Sequence, residues 1–319
     1  MIQPLFSSRS RTGLQIWMFI GGVVIALWTM FVVPTMAQEL RGDTPHTAVI
    51  SAFAPELNRL KADVKGASEK SVNGVAFTTG TLEGQKVVLF LSGISVVNAA
   101  MTTQLALDRF SIKRIIFSGI AGGVDPGLRI GDVVIADRWG QYLEVVFARK
   151  VGKGWAKPPF FKYPYANFGM MFPRAIKVPR AGIDQPEDRF WFSVDKMLLS
   201  AAHRAANDVT LARCTAEKRC LNRSPRIVIG GPGVSGSAFV DNTAFRAYVF
   251  RTFGARVLDM ESGAVAHVAY ANDVPFIAVR SLADLAGGGE GANQMEIFLN
   301  LAANNAAAVV KALLRAMPE

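Results

Sequence analysis

The apolar positions of this chain fall into short runs whose period changes along its length. Residues 47–53 (TAVISAF) read as a first strand, and Pro55 in the turn that follows predicts a helix over residues 54–64. Residues 72–79 and 85–91 read as a strand pair joined at Leu82-Glu83-Gly84, ahead of a helix over 97–110. The runs 113–118 (KRIIFS) and 275–279 (PFIAV) are apolar without alternation, which predicts strands buried on both faces. Residues 119–131 (GIAGGVDPGLRIG) are glycine-rich and lead into a strand at 132–136. A strand at 226–230 is followed by a second flexible glycine-rich piece, 230–237 (GGPGVSGS). Helices are predicted over 195–207, 243–253 and 292–316, the last rich in alanine. Ser262, Gly263, Ala264, Ala266 and Ala269 predict one more, small enough along its length to lie close on a sheet. The alternation of strands and helices fits one large α/β domain or two small ones, and no internal repeat is visible.

Two stretches depart from this pattern. Residues 14–33 are apolar apart from Gln15 and Thr29, follow a polar start containing Arg9 and Arg11, and end at Pro34. Thr35-Met36-Ala37 then reads as a signal-peptidase site with cleavage before Gln38. The run is also just long enough to span a bilayer. Residues 1–37 are therefore read as a signal peptide, with an uncleaved N-terminal membrane anchor as the alternative. Either way residues 38–319 face a non-cytoplasmic compartment, periplasmic or secreted. The second departure is 138–225. Its part 157–180 mixes prolines, aromatics and bases with no clean period, yet is too apolar for a disordered linker. It is read as an insertion packed on a single main domain, as a rim, a lid or a subunit contact. Within it Cys214 and Cys220 enclose a short polar loop; in an oxidising compartment they are expected to form a disulfide, with two free thiols as the alternative.

Half of the residues are hydrophobic, enough for a large core without staples. The net charge is +10, and Arg9 and Arg11 are the only charges in residues 1–37, so a processed form carries about +8 (10 − 2). That excess suits anionic ligands or an anionic surface. Lys and Arg are spread along the chain, with no basic helix and no zinc-finger spacing, so nucleic acid is not an expected partner. His46, His203 and His267 lie apart from one another and from the cysteines, and no metal site is expected. Gly119-Ile120-Ala121-Gly122-Gly123 lacks the Gly-x-Gly-x-x-Gly spacing and leads into a strand rather than a helix, which argues against a dinucleotide; no cofactor is expected. These glycines are read instead as letting backbone approach a neighbour or a ligand.

The candidate chemistry centres on residues 257–287. Glu261 opens the small-residue helix, where the helix dipole favours its anion. Asp284 follows just past the apolar strand at 275–279, where burial raises a carboxyl pKa and keeps a proton donor. Glu56 lies just past the end of the first strand, and ligands of open α/β sheets sit outside the carboxyl ends of strands. Taken singly, each residue has an ordinary reading: a helix-start carboxylate, an Asp in a turn, an exposed helix Glu.

In chain order, Glu56, Ser92-Gly93, residues 118–132 and 235–240, Met260-Glu261 and Asp284 form a pattern that resembles the methylthioadenosine/S-adenosylhomocysteine nucleosidases of the nucleoside phosphorylase superfamily. Its most specific parts are Leu258-Asp259-Met260-Glu261-Ser262-Gly263-Ala264 and Val279-Arg280-Ser281-Leu282-Ala283-Asp284, and it spans roughly 47–137 and 226–314. The resemblance implies a three-layer α/β/α sandwich around a mixed, partly barrel-like sheet. It implies cleavage of the N-glycosidic bond between adenine and a 5′-modified ribose, and a homodimer in which a neighbour helps close the site. Carried onto these positions, Asp284 protonates or hydrogen-bonds purine N7 and Glu56 positions and deprotonates the attacking water. Glu261 holds ribose hydroxyls, Met260 packs on the sugar, and Ser92 sits near sugar and water. Phe239 stacks on adenine, the backbone at Val240 reads its edge, and Phe53 and Met295 line the pocket for the 5′ substituent. An acid at the base and an anion near the sugar would stabilise both halves of the charge separation in such a cleavage.

Many phosphorylases of this superfamily place a Gly-Asp-Pro-x-x-Arg type motif after the first strand. Here that place reads Ser51-Ala52-Phe53-Ala54-Pro55-Glu56, whose acid repels phosphate and favours hydrolysis. Two alternatives remain: a phosphate-dependent purine nucleoside phosphorylase, and a catalytically inactive nucleoside-binding or storage protein. Two positions depart from the nucleosidase pattern. Ala283 stands where a Ser usually precedes the catalytic Asp, removing one hydrogen bond that would orient Asp284, and Ser237 stands where many members carry Asp.

Overall fold

The computed structural model describes residues 42–289 and 291–318, so the apolar segment at 14–33 and its cleavage position lie outside the described residues. The chain enters through β1 (Gly42–Ser51) and passes directly into α1 (Ala54–Lys61), with Pro55 in its first turn. β2 (Lys65–Val72), β3 (Val75–Leu82) and β4 (Gln85–Leu91) follow as an antiparallel meander. Where the sequence predicts one strand over 72–79, two strands meet at Asn73-Gly74, both with positive φ (50° and 79°), as a tight hairpin requires. β2 escapes a hydrophobic reading because it is exposed along nearly its whole length and has no apolar face.

α2 (Val96–Arg109) leads into β5 (Phe110–Gly123), then β6 (Val133–Ile135) and β7 (Arg138–Gln141). Six short strands come next: β8 (Val145–Phe147), β9 (Arg149–Val151), β10 (Gly154–Ala156), β11 (Met171–Pro173), β12 (Ile176–Arg180) and β13 (Ile183–Arg189). They pair as β8 with β11, β9 with β10 and β12 with β13. β14 (Trp191–Ser193) and α3 (Lys196–Ala205) return the chain to the main body. β15 (Ile227–Ile229), β16 (Pro232–Ser235), α4 (Thr243–Phe253), β17 (Val257–Asp259), α5 (Ser262–Ala271), β18 (Phe276–Asp284) and α6 (Met295–Ala316) complete it.

Twelve strands form one mixed sheet in the order β14-β7-β16-β17-β5-β1-β4-β3-β2, with β18 beside β5 and β6, and β15 beside β6. β5 is the spine. One of its edges serves β1 along residues 110–117 and then β17 at Gly122 and Gly123; the other serves β18. The glycine-rich residues 119–123, given no element in the sequence, are thus the second half of this strand. Pro232–Ser235, inside the other supposedly flexible piece, is likewise a strand, held between β7 and β17. α2 and α5 pack on one face of the sheet and α1, α6 and α3 on the other, which makes the three-layer α/β/α architecture.

The central strands explain their own sequences. Ala48, Val49 and Ile50 of β1, Val87–Phe90 of β4, Ile115, Ile116 and Phe117 of β5 and Ile277, Ala278 and Val279 of β18 are fully buried, because helices cover both faces. Each large apolar side chain so buried contributes roughly 1.5–3 kcal/mol. Residues 138–225 are less of an appendage than the sequence suggests. β7 and β14 extend the main sheet and α3 packs on α6, leaving only the hairpins between them outside it. Cys214 and Cys220 are joined by a disulfide.

The segment leading to that disulfide packs on the core through Val209 and Leu211, and one side chain of α6 takes up its backbone hydrogen bonds. Asn305 of α6 is buried; its Oδ1 accepts from Ala212 N–H (2.8 Å) and its Nδ2 donates to the carbonyls of Ala212 (3.1 Å) and Gly131 (3.5 Å). Replacing Asn305 by Ala strands these backbone groups and should lower stability by about 1–3 kcal/mol. Urea denaturation measures this, and an unchanged midpoint would mean that the segment is held by something else.

Candidate active site

The carboxyl ends of β1, β4, β5, β16, β17 and β18 converge on a cavity of about 230 Å³. Among the described residues four carboxylates line it, Glu56, Asp259, Glu261 and Asp284, and the other lining side chains are apolar. Each acid is placed by a strand end. β1 breaks into α1 at Phe53, and Glu56 reaches back from the first turn so that its Oε2 accepts from the N–H groups of Ala52 (2.8 Å) and Phe53 (3.3 Å). Its Oε1 accepts from Ile120 N–H of β5 at 2.8 Å. Asp259 ends β17 and accepts from the Ser262 N–H at the start of α5 (3.1 Å) and from the hydroxyl of Ser235. Asp284 ends β18 and accepts from Ala286 N–H at 2.6 Å.

Beneath the cavity lies Arg280, fully buried in β18. Its Nε stands 2.7 Å from Asp259 Oδ2 and donates to Ser262 Oγ (2.9 Å), and its Nη2 is 3.6 Å from Glu261 Oε2. The guanidinium also rests 4.0 Å over the Phe117 ring, a cation–π contact in a dry setting. Gly119 makes this possible: a Cβ there would lie 2.0 Å from Arg280 Nη1 and 2.7 Å from Glu56 Oε1. The glycine-rich half of β5 is therefore the gap that admits a buried cation and its acids.

One guanidinium stands among three buried carboxylates, and two of them, Glu56 and Glu261, hold their protons more tightly than usual. Burial pushes Glu56 up from the usual carboxylate range, against the opposing pull of Arg280 and three N–H donors. Burial likewise raises Glu261, with Arg280 opposing and Asp259 reinforcing the shift. The helix start was expected to keep Glu261 ionised; desolvation outweighs the dipole, which is worth typically about 0.3–1 kcal/mol. Asp284 rises to about 6, chiefly from burial, with Ala286 N–H opposing and Asp241 adding to it.

Glu261 is also held from across the cavity. Ser95 N–H donates to Glu261 Oε1 at 2.9 Å, and Ser95 Oγ donates to Ser237 Oγ at 2.8 Å. Ser95 adopts φ 85°, ψ 156°, a region that side chains avoid at a cost of about 1–3 kcal/mol. This strained residue joins the loop after β4 to the loop after β16 that carries Phe239 and Val240.

Of the residues singled out in the sequence, Glu56, Glu261, Asp284, Met260, Phe239, Val240, Phe53 and Met295 line this one cavity. Phe239 is half exposed at its mouth. Ser92 is the exception: it is buried and its hydroxyl turns back to donate to the Gly93 carbonyl (2.8 Å), so it does not line the cavity. Ala283 deprives Asp284 of a neighbouring hydroxyl, and the Ala286 N–H orients the carboxyl instead. Sequence reasoning gave no role to Arg280, Asp259, Ser95, Ile94 or Leu299. A detectable sign existed for the first two, since a charge inside a fully apolar strand must find a buried partner. Among the described residues, no group of three or more His, Cys, Asp or Glu side chains is arranged to hold a metal ion.

Residues 46–315 match the family model of the phosphorylase superfamily. The chain is 29% identical over 273 residues to the 5'-methylthioadenosine/S-adenosylhomocysteine nucleosidase of Mycobacterium tuberculosis, covering 85% of this chain and 96% of that one. It is 30% identical over 268 residues to the nucleosidase of the same name from Halalkalibacterium halodurans, covering 83% and 96%. In three dimensions it is similar to the nucleosidase of that name from Neisseria meningitidis in complex with methylthio-immucillin-A, with a TM-score of 0.63, 25% identity and coverage of 85% and 99%. Nearly the whole of each relative is thus matched by part of this chain, so those proteins consist of the counterpart of one such domain.

The raised pKa of Asp284 has a stability consequence with a definite sign. Between pH 3.8 and about 6 the folded protein holds this proton more tightly than the unfolded chain does. The stability linked to the neutral carboxyl is therefore full below pH 3.8 and is lost as pH rises through about 6. Asp284→Asn, which cannot ionise, should gain up to about 3 kcal/mol over the native protein well above pH 6 and little below pH 4. Urea denaturation at both extremes checks this; a gain equal at the two would show that ionisation is not its source.

Proposed function

Because the chain belongs to the phosphorylase superfamily, we propose that its cavity hydrolyses the N-glycosidic bond of adenine nucleosides of the 5′-methylthioadenosine/S-adenosylhomocysteine type and releases adenine. One observation favours water over phosphate as the nucleophile. The position beyond β1 holds the Glu56 carboxylate, and among the described residues no Lys or Arg side chain lines the cavity to meet an incoming phosphate. An anion at that place repels phosphate and accepts a proton from water.

The residues divide the reaction between them. Asp284, neutral below about pH 6, donates its proton or a hydrogen bond to purine N7 as the bond from C1′ to the base breaks and its electrons move onto the ring. The sugar becomes oxocarbenium-like, and the carboxylates of Glu261 and Glu56 lie where that positive charge develops. Glu261, held by Ser95 N–H, binds the ribose hydroxyls, while Met260 covers the sugar. Water adds to C1′ and gives its proton to Glu56, so the products are free adenine and the free 5′-modified sugar. Phe239 and the Val240 backbone hold the base; Phe53 and Met295, with Leu299 beside it, line the end taken by the 5′ group. Arg280 acts through the acids, keeping the cluster assembled without touching substrate.

Two further readings belong with this one. The chain is exported, with residues 1–37 removed or retained as an anchor, supported by the apolar run at 14–33 and by the Cys214–Cys220 disulfide, which an oxidising compartment favours. It also works as a homodimer. Ile94, Val97 and Met101 are 51%, 71% and 60% exposed beside the mouth of the cavity, an apolar strip suited to a second copy.

Base release from methylthioadenosine and S-adenosylhomocysteine is expected without phosphate, yielding free sugar. It should fall about 10²–10⁴-fold in Glu56→Gln and in Asp284→Asn, and kcat/KM should be bell-shaped in pH, rising as Glu56 and Glu261 lose their tightly held protons and falling as Asp284 loses its own. Sugar 1-phosphate formed only with phosphate would replace the hydrolase by a phosphorylase, and bound adenine with no turnover would leave a binding protein. For the native protein recovered from its producing cells, N-terminal sequencing should begin at Gln38 and light scattering should give twice the chain mass. Recovery of residues 38–319 in the cytoplasm would overturn export, and a monomer would overturn the dimer.

A further inference from the structure

The net charge of this protein is concentrated. Residues 145–174 contain six Lys or Arg (Arg149, Lys150, Lys153, Lys157, Lys162, Arg174) and no Asp or Glu, so they hold +6 of the net +10 and leave +4 for all the rest. The first five are exposed. The same unit exposes four large apolar side chains, Phe147 (63%), Val151 (61%), Phe160 (77%) and Met170 (47%). Folding normally removes such groups from water, and clusters of them mark interaction surfaces.

Cations and rings interleave here. Lys150 Nζ lies 4.6 Å over Trp155, Lys157 Nζ lies 4.9 Å over Tyr163 and 5.2 Å over Phe172, and the Arg174 guanidinium lies 4.7 Å over Phe161. The unit is fixed from its inner side: Tyr165 packs on Phe190 and Phe253, and Phe168 on Phe245 and Tyr248. None of its residues lines the catalytic cavity. Its exposed groups therefore serve neither the core nor the site already described.

We propose that residues 145–174 form a docking surface for an anionic phospholipid bilayer. The exposed cations meet lipid phosphates while Phe147, Val151, Phe160 and Met170 enter the interfacial layer. Aromatic residues with a polar handle, here Trp155 and Tyr163, favour that layer, and lysines extend their stems over apolar surface to keep their heads among the headgroups. A second copy of the chain suits this face poorly, because a twofold contact would set six cations against six. Nucleic acid would engage the charges, but Val151 and Met170 offer it neither a stacking plane nor a hydrogen bond. The choice of a bilayer as the occupant rests on the proposed export; the surface itself does not depend on the nucleosidase reading.

The processed chain, residues 38–319, isolates this surface from the apolar segment at 14–33, and the fold needs no such segment in relatives made of this domain alone. It should co-sediment with vesicles of equimolar phosphatidylcholine and phosphatidylglycerol, bind phosphatidylcholine alone at least about tenfold more weakly, and release in high salt. Lys150→Gln, Lys153→Gln and Lys157→Gln should each weaken binding by about fivefold. Phe147→Ser with Phe160→Ser should weaken it further, with adenine release in the absence of vesicles unchanged. Equal binding to neutral and anionic vesicles, or none to either, overturns the proposal. So does a Phe147→Ser/Phe160→Ser protein that binds like the parent, or that falls from dimer to monomer, which would make the face a subunit contact. Stronger binding of a single-stranded oligonucleotide than of the vesicles would assign it to nucleic acid. Failure of adenine release in the parent chain would remove the proposed function and leave this test standing.

Discussion

Everything near the cavity depends on one buried guanidinium. Arg280 sits inside a strand with no solvent on either face, and it persists there only because Asp259 and Glu261 meet it and Phe117 lies beneath it. A cation in such a place without partners would cost several kcal/mol. The reverse holds as well: without Arg280, Asp259, Glu261 and Glu56 would repel one another in a dry pocket. The cluster dictates its backbone. Gly119 must be a glycine to leave room for it, β5 must stay extended through its glycines, and α5 must start where Asp259 caps it.

That dependence explains what could be read from the chain and what could not. The central strands were legible because burial on both faces leaves an unbroken apolar run, as in PFIAV before Arg280. α4 was legible to the residue because Asn242 and Gly254 cap its two ends. The glycines of 119–123 stand where neighbours approach closely, as their sequence suggested, but the piece 230–237 misled, since in Pro232–Ser235 the missing side chains reflect crowding rather than freedom of the backbone. At Gly233 the crowding neighbour is the Trp139 ring. β2 was invisible for the opposite reason, having too few neighbours to impose a pattern.

The acids show the same limit at finer scale. Their positions along the sequence brought Glu56, Glu261 and Asp284 forward as a set, and the fold brings them to one cavity. Their proton affinities were only half visible. Asp284 beside an apolar strand end behaves as a buried acid, but Glu261 at a helix start is governed by desolvation and by Asp259, neither of which can be read locally. Ser92 shows that a residue at the right strand end need not line the cavity, since its hydroxyl donates to the Gly93 carbonyl instead. The basic residues read as evenly spread, yet six of them fall within residues 145–174 without one acid, and the hairpins there bring them into one unit.

Helix α6 reaches the cavity through its first two turns, with Met295 and Leu299, while Asp284 comes to it from the end of β18. Between them run Gly287, Gly289 and Gly291, all at positive φ. Met295 and Leu299 thus reach the cavity on a different element from Asp284, joined to it by a glycine-rich link, although α6 also packs against β18. Under the proposed function, variation at Met295 and Leu299 is the route to a wider or narrower recess at the head of α6 that leaves Asp284 and its raised proton affinity as they are.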